Sequence, residues 1–255
     1  MAFAQDFTFR RIKPPSGDGP RIDVQIAPGG PSGPPRAGAA PVSRGAARPV
    51  AKAPAGSAPR EAAYQWYWEG ISPDIADKSP GRLDEAVKAL SQGSNQVFIP
   101  RLQDMQDIAA RHGRTILAQT VGTDISPAFV LALIYVESRG RADAASSAGA
   151  AGLMQLMPAT AQRFGTTNRK DPVDNIKGGV AYLEFLADMF DKDPVLMLAG
   201  YNAGENAVTR NDGVPPYKET RDYVPKVIAA WTVAKGLCLT QPQLITDGCV
   251  FRISQ

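Results

Sequence analysis

The run Ser126-Pro127-Ala128-Phe129-Val130-Leu131-Ala132-Leu133-Ile134-Tyr135-Val136-Glu137-Ser138 sets one carboxylate at the end of an otherwise apolar stretch. Ser126 ahead of Pro127 is a helix-start signal, a cap residue followed by proline at the first helical position. On that helix Val130, Leu133 and Ile134 form an apolar stripe. Glu137 follows them at i+7, i+4 and i+3, on the same buried face. A carboxyl group on such a face loses the water that stabilises its anion, so its pKa rises and it keeps a proton near neutrality. That is what a general acid requires. Ser138-Arg139-Gly140 then stops the helix, leaving the carboxyl where a cleft can open. A frayed terminal glutamate turned to solvent fits the same segment, and spacing alone does not choose between the two.

Two later segments carry residues suited to a polar ligand. Ser146-Ser147-Ala148-Gly149-Ala150-Ala151-Gly152 runs into Leu153-Met154-Gln155-Leu156-Met157-Pro158. Small residues and glycines permit close backbone approach, and the Gln155 amide can both donate to and accept from acetamido or hydroxyl groups of a sugar. Ala199-Gly200-Tyr201-Asn202-Ala203-Gly204 breaks a helix with a Tyr-Asn pair at its exposed end. Each signal is weak alone.

The elements that must position these residues are helical. Three- and four-residue apolar spacing predicts helices over 82–90 and 101–119, besides the one opening at Ser126. Others are expected from Pro158 to Gly165, and from Asp174 with Ile176, Val180, Leu183, Leu186 and Phe190 on one face. Asp193-Pro194 opens a shorter one reaching Tyr201, and Thr220 caps the last, ending near Gly236. Pro225 late in that helix's first turn predicts an irregular start. Tyr64, Trp66, Tyr67 and Trp68 are expected to pack against the domain edge, with stacking on sugar rings as the alternative.

Composition divides the chain. Half of the 22 prolines lie between Pro14 and Arg60, and residues 1–60 hold nine Lys/Arg against three Asp. The overall charge of +3 therefore describes a basic tail on a mildly acidic domain, and no nucleic-acid partner is expected. The tail reads as a solvated linker, with anionic wall polymers or a membrane surface as alternative partners. The chain is parsed as 1–26, a small hairpin (Phe7-Thr8-Phe9 against Ile22–Ile26) or extended segment; 27–61, a disordered Pro/Ala/Gly/Arg linker; 62–100, a helical lead-in; 101–236, the catalytic domain; and 237–255, a C-terminal segment.

No apolar stretch reaches a membrane span, so no transmembrane segment is expected. Ala2-Phe3-Ala4 before Gln5 reads as the end of a cleavage site whose apolar region is missing, which suggests an exported protein. Cys238 and Cys249, the only two cysteines, are expected to bridge, closing a short loop; two unpaired thiols are the alternative. His112 is the sole histidine, in what reads as a helix end or exposed turn. One histidine is poor material for a zinc site or a Ser-His or Cys-His pair, so a structural role is expected, with no metal and no cofactor.

Taken in order, Glu137-Ser138, Gly152-Leu153-Met154-Gln155-Leu156-Met157-Pro158, Tyr201-Asn202-Ala203-Gly204 and Glu219-Thr220-Arg221-Asp222-Tyr223-Val224 resemble the soluble lytic transglycosylase domain of the goose-type lysozyme-like superfamily. The resemblance covers roughly residues 104–236. It implies a mainly α, lysozyme-like helical domain behind a flexible Pro/Gly/Ala-rich N-terminal extension. It also implies a periplasmic enzyme cleaving the β-1,4 bond between N-acetylmuramic acid and N-acetylglucosamine in peptidoglycan. Glu137 matches the family's catalytic acid/base. Ser146, Met154, Gln155, Tyr201 and Asn202 match cleft residues, and Tyr223 matches the tyrosine beside the catalytic carboxylate.

Two positions depart from the family: Gly200 stands where alanine is usual, and Gly140-Arg141-Ala142 replaces an aromatic-Asn-Pro run. They bear on the outer cleft and substrate preference. The motifs supply one carboxylate where most glycosidases use two, since Asp143 and Asp174 lie outside the matched positions. Substrate assistance by the muramoyl acetamido group, ending in a 1,6-anhydro ring, is the economical mechanism. A hydrolase on the same scaffold and a non-catalytic wall-binding assembly factor are the alternatives. Relatives that open the wall for a secretion system, flagellum or pilus suggest such a machine as partner of the basic N-terminal tether.

Overall fold

The computed structural model describes residues 62–92 and 97–252. The hairpin expected within 1–26 and the linker over 27–61 lie outside them. Among the described residues the chain is mainly α, and its β-structure is confined to isolated bridges.

Two short 3-10 turns, Gln65–Glu69 and Ile75–Asp77, lead into α1 (Arg82–Gln92) and α2 (Leu102–Thr120). Helix α3 (Pro127–Ser138) is the axis of the domain. Every residue from Pro127 to Tyr135 is buried, and α8 and α2 pack against it. The expectation of an apolar stripe on α3 was too narrow, because the helix has no solvent face until its last turn. An all-round apolar helix is what a core position selects.

The short α4 (Pro158–Arg163) precedes α5 (Pro172–Met189). The cap of α5 is Asp171, not Asp174: its carboxylate accepts from the Asp174 N–H at 2.8 Å. Asp174, in the first turn, instead accepts from the backbone N–H groups of Thr167 and Asn168 at 2.8 and 2.6 Å, closing the loop before the helix. Asp171-Pro172 carries the same cap-then-proline signal as Ser126-Pro127, three residues ahead of where apolar spacing put the start.

Asp193 caps α6 (Pro194–Ala203) and also meets the Arg82 guanidinium at 2.9 Å, a buried ion pair tying the lead-in to α6. A short α7 (Glu205–Arg210) connects to α8 (Lys218–Ala234). Helix α8 begins two residues before Thr220 and continues through Pro225. A proline inside a helix frees the carbonyl four residues earlier; here that is Arg221, and the Trp68 indole N–H donates to it at 3.0 Å. The Arg221 guanidinium lies over the same indole, 4.8 Å from a ring centroid. The aromatic cluster therefore packs on α8, with Tyr67 and Trp68 buried.

His112 sits in the body of α2, half-buried, with burial lowering its pKa. Cys238 and Cys249 form a disulfide with Cα atoms 5.2 Å apart, and in the loop it closes the Ile245 carbonyl accepts from the Ser126 N–H at the start of α3. No described helix is long and apolar enough to cross a membrane.

Candidate active site

Glu137 is one residue from the end of α3. Arg139 follows in the left-handed conformation at φ 56°, and Gly140 continues at φ 72°, so the chain turns away within two residues. A side chain at Gly140 would place its Cβ 2.6 Å from Ile108 of α2. That contact and the left-handed φ together account for glycine at this position. Ser138 fixes the turn from inside, its hydroxyl donating to the Leu153 carbonyl at 2.7 Å while accepting from the Gly140 N–H.

The carboxyl of Glu137 faces a cavity of about 340 Å³ lined by Phe98, Pro100, Tyr135, Arg139, Asn202, Glu219, Tyr223 and Lys226 among others. The Tyr223 hydroxyl donates to Glu137 Oε1 at 2.7 Å. Burial pushes the Glu137 pKa from 4.5 to about 7, against the Tyr223 hydrogen bond, which lowers it, and with help from the nearby Glu219 carboxylate, which raises it. Desolvation disfavours the anion more than one hydrogen bond restores it. At neutral pH the group is poised between acid and base.

Of the other residues singled out by motif, Asn202 and Tyr223 line this cavity. The Asn202 amide oxygen accepts from the Thr220 hydroxyl at 2.7 Å, linking α6 to α8. Tyr201 is set behind, its hydroxyl donating to the Met154 carbonyl at 2.8 Å. The Met154 side chain is buried under Gly179, where a Cβ would lie 2.3 Å from its sulfur. Gln155 adopts φ 46° and spends its amide N–H groups on the Ala144 and Gly152 carbonyls at 3.1 and 2.8 Å. Ser146 is exposed, its hydroxyl accepting from the Ala150 N–H at 3.0 Å. Ser146, Met154, Gln155 and Tyr201 thus shape the 144–157 loop and its seat on α6 and lie outside the lining of this cavity.

Several contributors were not singled out from the sequence. Glu219 brings a second carboxylate to the cleft. Asn175, fully buried, clamps the loop by accepting from the Met154 N–H and donating to the Ala151 and Arg169 carbonyls. A buried asparagine at the start of a helix, opposite a glycine loop, was the available signal. Phe98 and Pro100 belong to the lead-in and carry no motif. Gly200 packs on α5, where a Cβ would sit 2.9 Å from Leu186 and Phe190, so its departure from alanine answers to core packing and not to the cleft.

A helical domain that ends its central helix on one protonatable carboxylate at the foot of an open groove has the architecture of a general-acid enzyme. Comparison with known proteins narrows the class. Residues 114–224 match the family model of the Transglycosylase SLT domain. A transglycosylase of Enterobacteria phage PRD1 is 41% identical over 92 residues, covering 36% of this chain and 34% of the relative. The soluble lytic murein transglycosylase of Salmonella typhimurium is 33% identical over 133 residues, 43% of this chain and 21% of the relative. The X-ray structure of an inactive mutant of the lytic transglycosylase Slt from Pseudomonas aeruginosa aligns with a TM-score of 0.49 at 26% identity, over 71% of this chain and 33% of that one. Residues 114–224 of the chain are thus an SLT lysozyme-like domain. The chain spans about a third of the phage relative and a fifth of the Salmonella one.

Proposed function

We propose that this protein is a peptidoglycan lytic transglycosylase acting in the periplasm, with Glu137 as its single general acid and base. The observation that carries the reading is the Glu137 carboxyl, held by Tyr223 at the foot of the cleft with a pKa near 7. Protonated Glu137 donates to the glycosidic oxygen leaving C1 of N-acetylmuramic acid, while the same sugar's acetamido oxygen bonds to C1. Glu137, now a carboxylate, takes the proton from the C6 hydroxyl; O6 then attacks C1 and expels the acetamido oxygen. The products are a 1,6-anhydromuramoyl end and a free N-acetylglucosamine 4-hydroxyl, and Glu137 is again protonated.

Glu219 favours a second reading. A second carboxylate in the same groove could orient water, giving a muramidase that hydrolyses the same bond. Mass spectrometry of digested sacculi separates the two, because hydrolysis adds about 18 Da and leaves a reducing end. The Glu137→Gln variant should lose at least about 10²–10⁴-fold in rate, the usual contribution of a positioned acid. Near-full activity in that variant overturns both readings. Residues 1–61 are proposed as a tether to a secretion, flagellar or pilus assembly component, which co-purification with and without that segment tests.

A further inference from the structure

Two cations in the cleft have no part in the proton transfers above. Arg139 occupies the left-handed position that closes α3, a place glycine fills with least strain. Its guanidinium carbon lies 4.1 Å from the Tyr135 ring centroid and 5.1 Å from that of Phe98, and one N–H donates to the Tyr135 hydroxyl. Lys226 stands one turn beyond Tyr223 on α8, its ammonium 5.8 Å from the Tyr64 ring centroid. Both line the cavity that holds Glu137. Among the described residues neither is ion-paired. Besides Glu137, the lining holds one further carboxyl, Glu219, which lies seven residues before Lys226 on α8, about 10 Å along the axis at helical rise. An anion entering this one cavity can therefore meet both cations, and a guanidinium fixed beside two rings offers a planar donor face to a carboxylate.

We propose that Arg139 and Lys226 form a carboxylate-reading subsite beside the scissile bond, selecting muramoyl residues by the anionic groups borne on their 3-O-lactyl substituent. The inference rests on the glycan-cleaving reading of this cleft. The carboxylate can be that of an unsubstituted lactyl group or one from the attached stem peptide; both present the same planar anion.

Binding by the Glu137→Gln protein tests the subsite without turnover. The probes are soluble glycan strands bearing stem peptides, strands stripped by an amidase to the bare lactyl carboxylate, and each of these with its carboxylates converted to methylamides. Stem-bearing or stripped strands, or both, should bind about tenfold more tightly than their methylamides at low salt, and the gap should narrow with salt. Which probe discriminates identifies the source. Adding Lys226→Gln, an exposed change, should cut the ratio about threefold, the size expected of a partly solvated charge pair. Adding Arg139→Gln as well should bring it to about one, whereas the charge-keeping pair Arg139→Lys and Lys226→Arg should retain most of it. A ratio near one in the Glu137→Gln protein, or one unmoved by the Gln substitutions, overturns the subsite. Release of no anhydro product by the wild type counts against the parent reading alone, because the binding ratio is read independently.

Discussion

Replacing Glu137 by Gln should make the protein's stability less sensitive to rising pH while abolishing turnover. In the folded chain Glu137 titrates at about 7, against an ordinary value of 4.5 once the chain unfolds. Between those values the folded state holds a proton that the unfolded state has released, so stability falls as pH rises through that window. The contribution is fully present below pH 4.5 and lost above pH 7. At 1.36 kcal/mol per unit, 2.5 units correspond to about 3 kcal/mol, an upper figure because the carboxyl touches an open cleft. Glutamine has no such titration and can still accept from the Tyr223 hydroxyl. The stability difference between variant and wild type should therefore move by about 3 kcal/mol in the variant's favour between pH 4 and pH 8.5, or roughly 6–12 °C in melting temperature for a domain of this size. Denaturant unfolding of both proteins across that range reads it directly. Only the change with pH matters, so any constant cost of substitution drops out. Parallel curves would mean that Glu137 ionises like an exposed carboxyl and would remove the physical basis for assigning it as the acid.

Tyr223→Phe deletes a donor that stabilises the Glu137 anion. The alkaline limb of the pH–rate profile should move upward from pH 7 while kcat falls; a limb that moves down, or stays, refutes the assignment. Gly152→Ala forces a Cβ to within 1.9 Å of the Arg169 carbonyl at φ 85°, and should cost more than about 2 kcal/mol of stability by denaturant melt, as strained, overpacked substitutions do. Trp68→Phe leaves the Arg221 carbonyl without its donor beside Pro225, and should cost about 1–3 kcal/mol and lower kcat through a shifted Tyr223; unchanged values in both would dismiss the brace. Reduction of Cys238–Cys249 should lower stability by about 2–3 kcal/mol, the entropy of an 11-residue separation, measured as a melting shift with and without reductant.

How much of this was legible in the sequence differs by element. Helices with a cap followed by proline, α3 and α6, were placed almost to the residue, because proline fixes φ at a position where no hydrogen bond is lost. The same signal at Asp171-Pro172 was passed over for apolar spacing, which reports the buried face and not the first turn. Helix α8 was started late for a related reason: its first turn is solvent-exposed at Lys218 and Glu219, so no apolar periodicity marks it. At the candidate site, Glu137, Asn202 and Tyr223 share one cavity, and each lies within a motif. Arg139, Lys226 and Phe98 reach it from three separate segments. Their convergence is set by how α8 and the lead-in pack around α3, which pairwise spacing along the chain does not encode.

The burial of Glu137 comes from more than the apolar stripe of its own helix. A stripe on an amphipathic helix would have set the carboxyl against one neighbour, with solvent on the other side. Instead α3 is enclosed all round, and water reaches it only at its last turn, where Arg139 and Gly140 bend the backbone away and α8 lends Tyr223. Enclosure supplies the desolvation that raises the pKa, and the abrupt end supplies the opening through which a proton can leave. Tyr223 in turn depends on a proline-interrupted helix whose freed carbonyl is held by Trp68, some 150 residues earlier in sequence. The lead-in before α1 therefore braces the helix that carries Tyr223, and Trp68→Phe should also displace the alkaline limb to higher pH, by the same reasoning as for Tyr223→Phe.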